Sequence, residues 1–246
     1  MRQRWRLTFA REAASEGEPA SGREYTALWE AALESTGLPM ASTDAGRIRF
    51  ALGAPLPART AGLAELADLW LTERIPVWRI RDALGPVLLA GHRLVALEDI
   101  WLGAPALAGR VAAADYRVTL ATAADPATIE AAAQRLLAAR EIPRDRVKGG
   151  AVKTYDLRPL LSSIAVEMAV AEADAPLFLL VRTRIHPELG SGRPEDVVAA
   201  LADELGTPLD VAETIRERLV LAEELPPSDV ESGQTAPATS TRPDRN

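Results

Sequence analysis

The stretch KTYDLRPLL, residues 153–161, carries the residue types closest to a reactive set in this chain: Lys153, Asp156 and Arg158. A guanidinium presents a planar fork of donors that suits phosphate or carboxylate, so Lys153 and Arg158 are candidate anion contacts. A structural interpretation competes, in which Asp156 caps the following turn, Pro159 begins a helical turn and the leucines enter the core. It leaves Lys153 and Arg158 unexplained, so an enzyme acting on an anionic substrate stays open as the weaker hypothesis.

A second motif, GSGRPEDV at residues 190–197, has the composition of a turn followed by a helix start. Pro194 fits the first helical position, and Glu195 and Asp196 complement the positive end of the helix dipole. A helix N-terminus can hold a phosphate, but here two acids occupy the place where the anion would bind. The motif therefore predicts a helix start rather than a phosphate site.

The other chemically useful residue types are scarce. The chain has no cysteine and two histidines, His92 and His186, without a recognisable companion for general-base or metal-binding work. Ser162 and Ser163 lack a nearby motif that would activate a nucleophile. The sequence therefore predicts no catalytic residue, no metal site and no cofactor.

Arginines alternate with apolar residues on several segments that have the pattern of strands. In RWRLTFA (residues 4–10), Trp5, Leu7 and Phe9 are expected to face helices, which turns Arg4 and Arg6 to the opposite face. The arginines predicted on this open face by the same reasoning are Arg4, Arg6, Arg47, Arg49, Arg117, Arg182 and Arg184.

Three uses of the arginine face remain open: RNA backbone binding, an acidic protein partner, or a surface of salt bridges in which acids such as Asp68 neutralise the arginines. Sheets that bind RNA usually expose aromatic side chains on which bases stack. The sequence indicates no such aromatic pair, because most aromatic residues fall at core positions.

Composition limits the class of protein. The net charge of −7 disfavours non-specific DNA binding, and a hydrophobic fraction of 48% is enough for a packed core. The sequence contains no run of about 20 apolar residues that would predict a membrane span, and its N-terminus lacks the apolar stretch of a signal peptide. A cytoplasmic location is the simplest expectation.

The chain contains a weak internal repeat, and the order of elements in this repeat predicts the fold. RWRLTFA and DYRVTLA (residues 115–121) each open a series of strand, helix, two or more strands, helix and strand. Asp125 and Pro126 have the types expected at a helix start, and Gly37 and Gly206 those expected at helix ends. This order predicts an α+β fold of two ferredoxin-like, split βαβ halves with antiparallel sheets.

The predicted boundaries are 1–110 for the first half, 111–225 for the second half, and 226–246 for a disordered tail rich in Pro, Ser and Thr. Residues 12–22 have the composition of a flexible loop. The last segment of the second half, residues 213–225, is compatible with either a strand or a helix.

Several motifs together resemble the radical SAM-linked protein family, bacterial domains found beside or fused to cobalamin-binding-type radical SAM proteins. They are RWRLTFAR, ALESTGLP, RIRFALGAPLP, VKTYDLRPLL and GSGRPEDVVAAL, and the resemblance spans roughly residues 2–222. Relatives carry Ser-His-x-Asp at the start of the first helix, where this chain has Ser21, Gly22, Arg23 and Glu24. Their Gly-Phe-Asn-Pro-x-Pro loop is shortened here to TDAGR at 43–47.

The resemblance implies an accessory protein that works with a radical SAM partner. The missing cysteines and nucleophile motifs indicate that it is not itself an enzyme, and the arginine face would present an RNA substrate to the partner. The alternative is an independent RNA-binding module in RNA processing or modification. Under either interpretation the predicted contacts are the seven arginines of the open face together with Lys153 and Arg158.

Overall fold

The computed structural model describes residues 1–13, 22–57, 59–121, 124–148, 150–168 and 176–226. The predicted loop at 12–22 lies mostly outside these ranges, as does the predicted tail after residue 226.

The first half of the chain forms a four-stranded antiparallel arrangement with two helices. Its elements are β1 (Gln3–Arg11), α1 (Gly22–Ser35), β2 (Phe50–Leu52), β3 (Ala61–Leu71), α2 (Val77–Leu84) and β4 (His92–Ile100). The strands lie in the order β4-β1-β3-β2, and every neighbouring pair is antiparallel. This is the split βαβ order that the sequence predicts.

The second half repeats that order. Its elements are β5 (Val111–Leu120), α3 (Pro126–Ala138), β6 (Pro143–Lys148), β7 (Ala151–Asp156), β8 (Leu161–Met168), β9 (Leu177–His186), β10 (Gly190–Ser191), α4 (Pro194–Leu205) and β11 (Val211–Leu221). The strands lie in the order β11-β5-β9-β8, while β6 and β7 form a separate hairpin, of which the sequence predicts the strand at 152–156 but not its partner.

The α+β prediction is therefore confirmed, and the ambiguous last segment is a strand. The two halves share one sheet, because β11 pairs with β3 in parallel at two register positions, Ile215 opposite Ala61 and Arg216 opposite Gly62. Division of the chain near residue 110 into two separately folding units stays a prediction.

Local signals in the sequence place the helix ends where they were expected. The carboxylate of Asp125 accepts a hydrogen bond from the backbone N–H of Thr128 at 3.1 Å, directly before Pro126. Helix α4 begins at Pro194 and ends at Leu205, and the following Gly206 has a φ of 65°, a left-handed conformation that favours glycine. These caps fix the ends of the two helices that cover the second half.

Each half has its own apolar core between sheet and helices. Trp5, Leu7 and Phe9 of β1 pack with residues of α1 and α2, as the alternation predicts. In the second half, alternate residues of β5 and β9 pack with α3 and α4. Arg11 stacks on Tyr25 of α1 and lies opposite Gly62 of β3 in the strand register. Gly62 lies opposite Arg216 of β11, which in turn lies opposite Tyr116 of the second core. Arg216 therefore lies on the face of β11 that carries the second core.

Candidate nucleic-acid interface

The prediction that Arg4 and Arg6 point into solvent is wrong. Arg4 is 1% exposed and Arg6 is 4% exposed, and both bind the carboxylate of Asp68, which is fully buried. Asp68 Oδ2 lies 2.6 Å from Arg4 Nη2, and Oδ1 lies 2.8 Å from Arg6 Nε. The neutralisation of arginines by Asp68, one of the alternatives that the sequence left open, is what occurs at these two positions.

The reason is the connection between the halves. Residues 101–110, here called the strap, cross the helix-free face of the first half on their way from β4 to β5. Arg4 donates to the carbonyls of Ala104 at 2.6 Å and Pro105 at 2.9 Å, so the strap lies directly over the arginine pair. Burial, with the nearby charges of Arg6 and Arg4, lowers the pKa of Arg110 at the end of the strap. The helix-free face of the first half is therefore covered.

Arg47 and Arg49 do point outward, as predicted, and Ile48 between them is buried. Arg47 pairs with Glu30 of α1 at 2.6 Å. The guanidinium of Arg49 lies 5.0 Å from the ring centre of Trp70, so it too has a partner on its own half. These two arginines are therefore paired with residues of the first half at its surface, and they do not form one continuous row with the other predicted arginines.

The helix-free face of the second half carries the remaining predicted arginines of the open sheet. Arg117 lies on β5, and Arg182 and Arg184 lie on β9, all half-buried. The guanidinium of Arg117 lies 5.7 Å from the ring centre of Phe178, which belongs to the same face of β9. Phe178 is the exposed-face aromatic that the sequence analysis missed, although the alternation of LFLLVRTRI groups it with Arg182 and Arg184.

One carboxylate organises the middle of this face. Asp115 accepts from Arg182 Nε at 2.6 Å and from Arg218 Nε at 3.0 Å. Burial alone would raise the pKa of Asp115, but the hydrogen bonds and charges of Arg182 and Arg218 outweigh it and hold the pKa below its usual value. Arg218 also pairs with Glu224 at 2.8 Å, so the two guanidiniums of this cluster are balanced by two carboxylates.

Arg184 and Arg158 meet at one end of the same region. Arg184 Nε donates to the hydroxyl of Ser162 at 3.0 Å, and Arg158 Nη1 donates to the neighbouring carbonyl of Leu161 at 2.8 Å. Arg158 is half-buried in the short 3-10 helix Arg158–Leu160. The structure thus brings an arginine of the DLRP motif close to the predicted arginines of β9.

The structural interpretation of the DLRP motif is confirmed for its acid and its leucines. Asp156 Oδ1 accepts from the backbone N–H of Ile142 at 2.8 Å and of Arg158 at 2.9 Å, so it closes the turn after β7. Leu157, Leu160 and Leu161 are buried. Lys153 is exposed on β7. Because both contacts of Asp156 are backbone donors, Asp156 is a structural cap rather than a partner for substrate.

Tyr155 explains why the two motifs occur together. Its hydroxyl donates to Asp196 at the start of α4, and Arg146 of β6 also donates to Asp196, at 2.7 Å. Burial and the adjacent Asp196 carboxylate raise the pKa of Tyr155. The DLRP segment and the GSGRPEDV segment are therefore joined by one hydrogen-bonded cluster that fastens the β6–β7 hairpin to α4.

The histidines have local partners. His92 bonds to the hydroxyl of Tyr25 at 2.7 Å and packs near Phe9 and Trp29, contacts that the sequence did not indicate. His186 Nδ1 accepts from two backbone N–H groups of the following turn. Within the described residues, no group of three or more acids and histidines is placed to hold a metal ion. Nor does any described helix combine the length and apolar character needed to cross a membrane.

Residues 4–190 match the family described as DUF2344, an uncharacterized protein conserved in bacteria, so the chain belongs to that family. This family membership covers most of the chain and includes the DLRP motif. A search of curated proteins finds no match. The link to radical SAM enzymes that the resemblance implies is not part of what the family description states.

Solved structures of similar architecture have low identity to this chain. A Cbf5-Nop10-Gar1 complex aligns at 12% identity and TM-score 0.46, covering 87% of this chain and 48% of that one. An H/ACA RNP bound to a substrate RNA containing 2'-deoxyuridine aligns at 10% identity and TM-score 0.43, covering 87% and 47%. The chain spans about half the length of these solved chains. Likenesses at this level carry no argument about function.

Proposed function

We propose that the protein is an RNA-binding module that contacts single-stranded RNA on the helix-free face of its second half. One observation carries the proposal: Phe178 and Arg117 pack together on the two central strands of that half, in line with Arg182 and Arg184. An aromatic ring offers a surface for base stacking, and guanidiniums beside it suit the phosphates. The strap covers the equivalent face of the first half, so the binding face is limited to the second half.

The geometry also supports a division of roles on this face. Arg182 and Arg218 both donate to Asp115, so a phosphate that approaches the middle of this face meets two adjacent guanidiniums. Arg184 and Arg158 sit at its end beside Ser162, where the backbone of a strand passing Phe178 would continue. We place the other predicted contact, Lys153, outside this face because it belongs to the separate β6–β7 hairpin.

The test is the affinity of the purified protein for a fluorescently labelled five-nucleotide oligouridine, measured by anisotropy at several salt concentrations. Phe178→Ala should weaken binding about tenfold, since one base–aromatic stack contributes about 1–3 kcal/mol. Arg184→Gln should reduce the salt slope by about one phosphate contact. Arg47→Gln is the matched control, because Arg47 is an exposed arginine of the first half. Equal affinities for wild type and Phe178→Ala, or no saturable binding at low salt, would refute the proposal.

We propose further that the protein is not itself an enzyme and that it acts in the cytoplasm. The acid of its most reactive-looking motif, Asp156, is bonded to two backbone N–H groups, which supports a structural role for it. Two acids of the proposed RNA-binding face, Asp115 and Glu217, are in ion pairs with arginines, and Glu167 lies opposite Phe178 on β8. RNA chemistry would then belong to a partner.

A second candidate function is docking to a radical SAM enzyme, the partner that the family resemblance implies. The supporting observation is on α2, where Val77 is 43% exposed and Trp78 is 63% exposed. Tryptophan is among the residues that contribute most to protein interfaces. This surface lies on the helix side of the first half and is independent of the proposed RNA face.

Affinity purification from native lysate should recover a protein with an iron–sulfur cluster and a radical SAM cysteine motif, whether or not nuclease is added. Trp78→Ala should lower its recovery about tenfold or more, in line with the energies of interface hot spots. Leu63→Ala is the control, because Leu63 is 43% exposed elsewhere in the first half. Recovery that disappears with nuclease, or that Trp78→Ala leaves unchanged, would count against direct docking.

A further inference from the structure

Phe178 belongs to a row of four side chains that crosses the helix-free face of the second half. Glu167 of β8 lies opposite Phe178 on one side, and Thr119 of β5 lies opposite it on the other. Glu213 of β11 lies opposite Thr119, one strand further along the row. Residues that are directly opposite in antiparallel strands share a face and have Cβ atoms about 4.5–5.5 Å apart. The two side chains directly beside Phe178 in this row therefore end in a carboxylate and a hydroxyl.

Glu167 keeps its carboxylate available, unlike two other acids of this face. Asp115 and Glu217 are both in ion pairs with arginines. Glu167 is exposed, and within the part of the chain that the structure describes no hydrogen bond or ion pair engages its side chain. A free carboxylate on a phosphate-binding surface repels the RNA backbone, so Glu167 favours binding only if it contacts another part of the RNA.

The ring of Phe178 has a different charged neighbour on each of its two sides. The guanidinium of Arg117 on β5 lies 5.7 Å from the ring centre, whereas Glu167 lies on β8, on the other side of β9. Because Arg117 occupies the β5 side, a base that stacks on Phe178 is expected on the β8 side. Neighbouring strands are about 4.8 Å apart, so the carboxylate of Glu167 can reach the edge of that base.

The four bases differ in what they offer to a carboxylate, which in its ionised form only accepts hydrogen bonds. Guanine presents two adjacent donors on its Watson–Crick edge, the ring N–H and the amino group, and these match the two carboxylate oxygens. Cytosine and adenine present one amino group beside an acceptor nitrogen. Uracil presents a single N–H between two carbonyl oxygens, which a carboxylate repels. Single-stranded RNA exposes these edges to a protein.

We infer that Glu167 reads the base that stacks on Phe178 and that it selects guanine over uracil. The inference rests on the proposed function and adds to it a base preference. Phe178 supplies the stacking surface, the arginines of the face bind the phosphates, and Glu167 determines which base is held. A carboxylate beside the ring thereby gives up some attraction for the backbone in exchange for sequence selectivity.

The experiment measures, by anisotropy with the full chain, the affinities for the five-nucleotide strands UUGUU, UUIUU and UUUUU, where I is inosine. Wild type should bind UUGUU about tenfold more tightly than UUUUU, the size expected for one bidentate contact to a base. Inosine lacks the amino group of guanine, so UUIUU should lose most of this preference. Each strand has the same base order in both directions, so the result does not depend on the direction in which the strand binds.

Glu167→Gln should reduce the preference for UUGUU to about twofold or less, because an amide has one acceptor oxygen and opposes a donor group to the second guanine donor. Its affinity for UUUUU should not fall, since the variant removes a negative charge near the phosphates. Glu213→Gln is the matched control. It removes the same charge from the same row, but two strand spacings or about 10 Å from Phe178, and should keep the tenfold preference.

The outcomes separate the two proposals. Equal affinities of wild type for UUGUU and UUUUU, together with weaker binding of both by Phe178→Ala, would refute the base preference and leave the RNA-binding face standing. A preference that survives in Glu167→Gln, or that Glu213→Gln reduces equally, would also refute the role of Glu167. If Phe178→Ala weakens no strand, the proposed function fails and the inference fails with it. Thermal unfolding of Glu167→Gln should match wild type, because Glu167 is exposed.

Discussion

Asp68→Ala should lower the free energy of unfolding by about 3–5 kcal/mol, the range observed when one partner of a buried ion pair is removed. The carboxylate is fully buried, and it is the acid that binds both Arg4 and Arg6. Its removal leaves two guanidiniums on the covered face of the first half without their counter-ion. Domain stabilities are typically about 5–15 kcal/mol, so this loss is a large share of the whole. Urea unfolding followed by circular dichroism measures it.

Three further variants isolate the electrostatic cause. Asp68→Asn, which keeps the shape but not the charge, should lose nearly as much stability as Asp68→Ala. The triple variant Arg4→Met/Arg6→Met/Asp68→Leu should recover most of the loss, because replacing a whole buried ionic cluster by apolar residues is often neutral. Glu73→Ala, at an exposed acid beyond the end of β3, should change stability by less than about 0.5 kcal/mol. A change of that small size in Asp68→Ala would show that the arginines find other partners or water.

This cluster also shows how far sequence reasoning reached on the first half. Alternation correctly assigned Trp5, Leu7 and Phe9 to the helix side and Arg4 and Arg6 to the other. It could not reveal that the other side is covered, because alternation reports the face of a strand and not what lies above that face. The strap that covers it is an irregular connection with no periodic pattern, and its path depends on the tertiary fold.

In the second half, too, alternation predicted the elements and their faces but not the contacts between distant residues. The repeated strand and helix signals were sufficient for the split βαβ order, since each element has its own local pattern. Phe178 was a missed residue whose position in LFLLVRTRI already groups it with Arg182 and Arg184. Arg216 could not have been predicted as a core residue, since its burial depends on Glu65, which is 151 positions away in the chain.

Glu65→Ala should be the other strongly destabilising substitution, by about 3–5 kcal/mol. Arg216 is 1% exposed and Glu65 is 5% exposed, and they pair through two hydrogen bonds where β11 meets β3. The same guanidinium donates to the carbonyls of Ala54 and Pro55, each at 2.9 Å. β11 and β3 share two register positions, and Ala54 and Leu66 of the first half also pack against the second core, so this ion pair is the buried polar part of the contact between the halves.

The expected signature is a loss of cooperativity as well as of stability. With Arg216 left without its counter-ion at the junction, the halves should separate before either core unfolds, so urea unfolding should become broader or biphasic while wild type unfolds in one transition. Glu65→Leu/Arg216→Met should restore a single transition by replacing the ion pair with apolar contact. Glu213→Ala is the matched control, because Glu213 is an exposed acid on β11, the strand that carries Arg216. It should leave the urea unfolding curve unchanged. A single transition of unchanged slope in Glu65→Ala would show that the shared sheet, rather than this ion pair, couples the two halves.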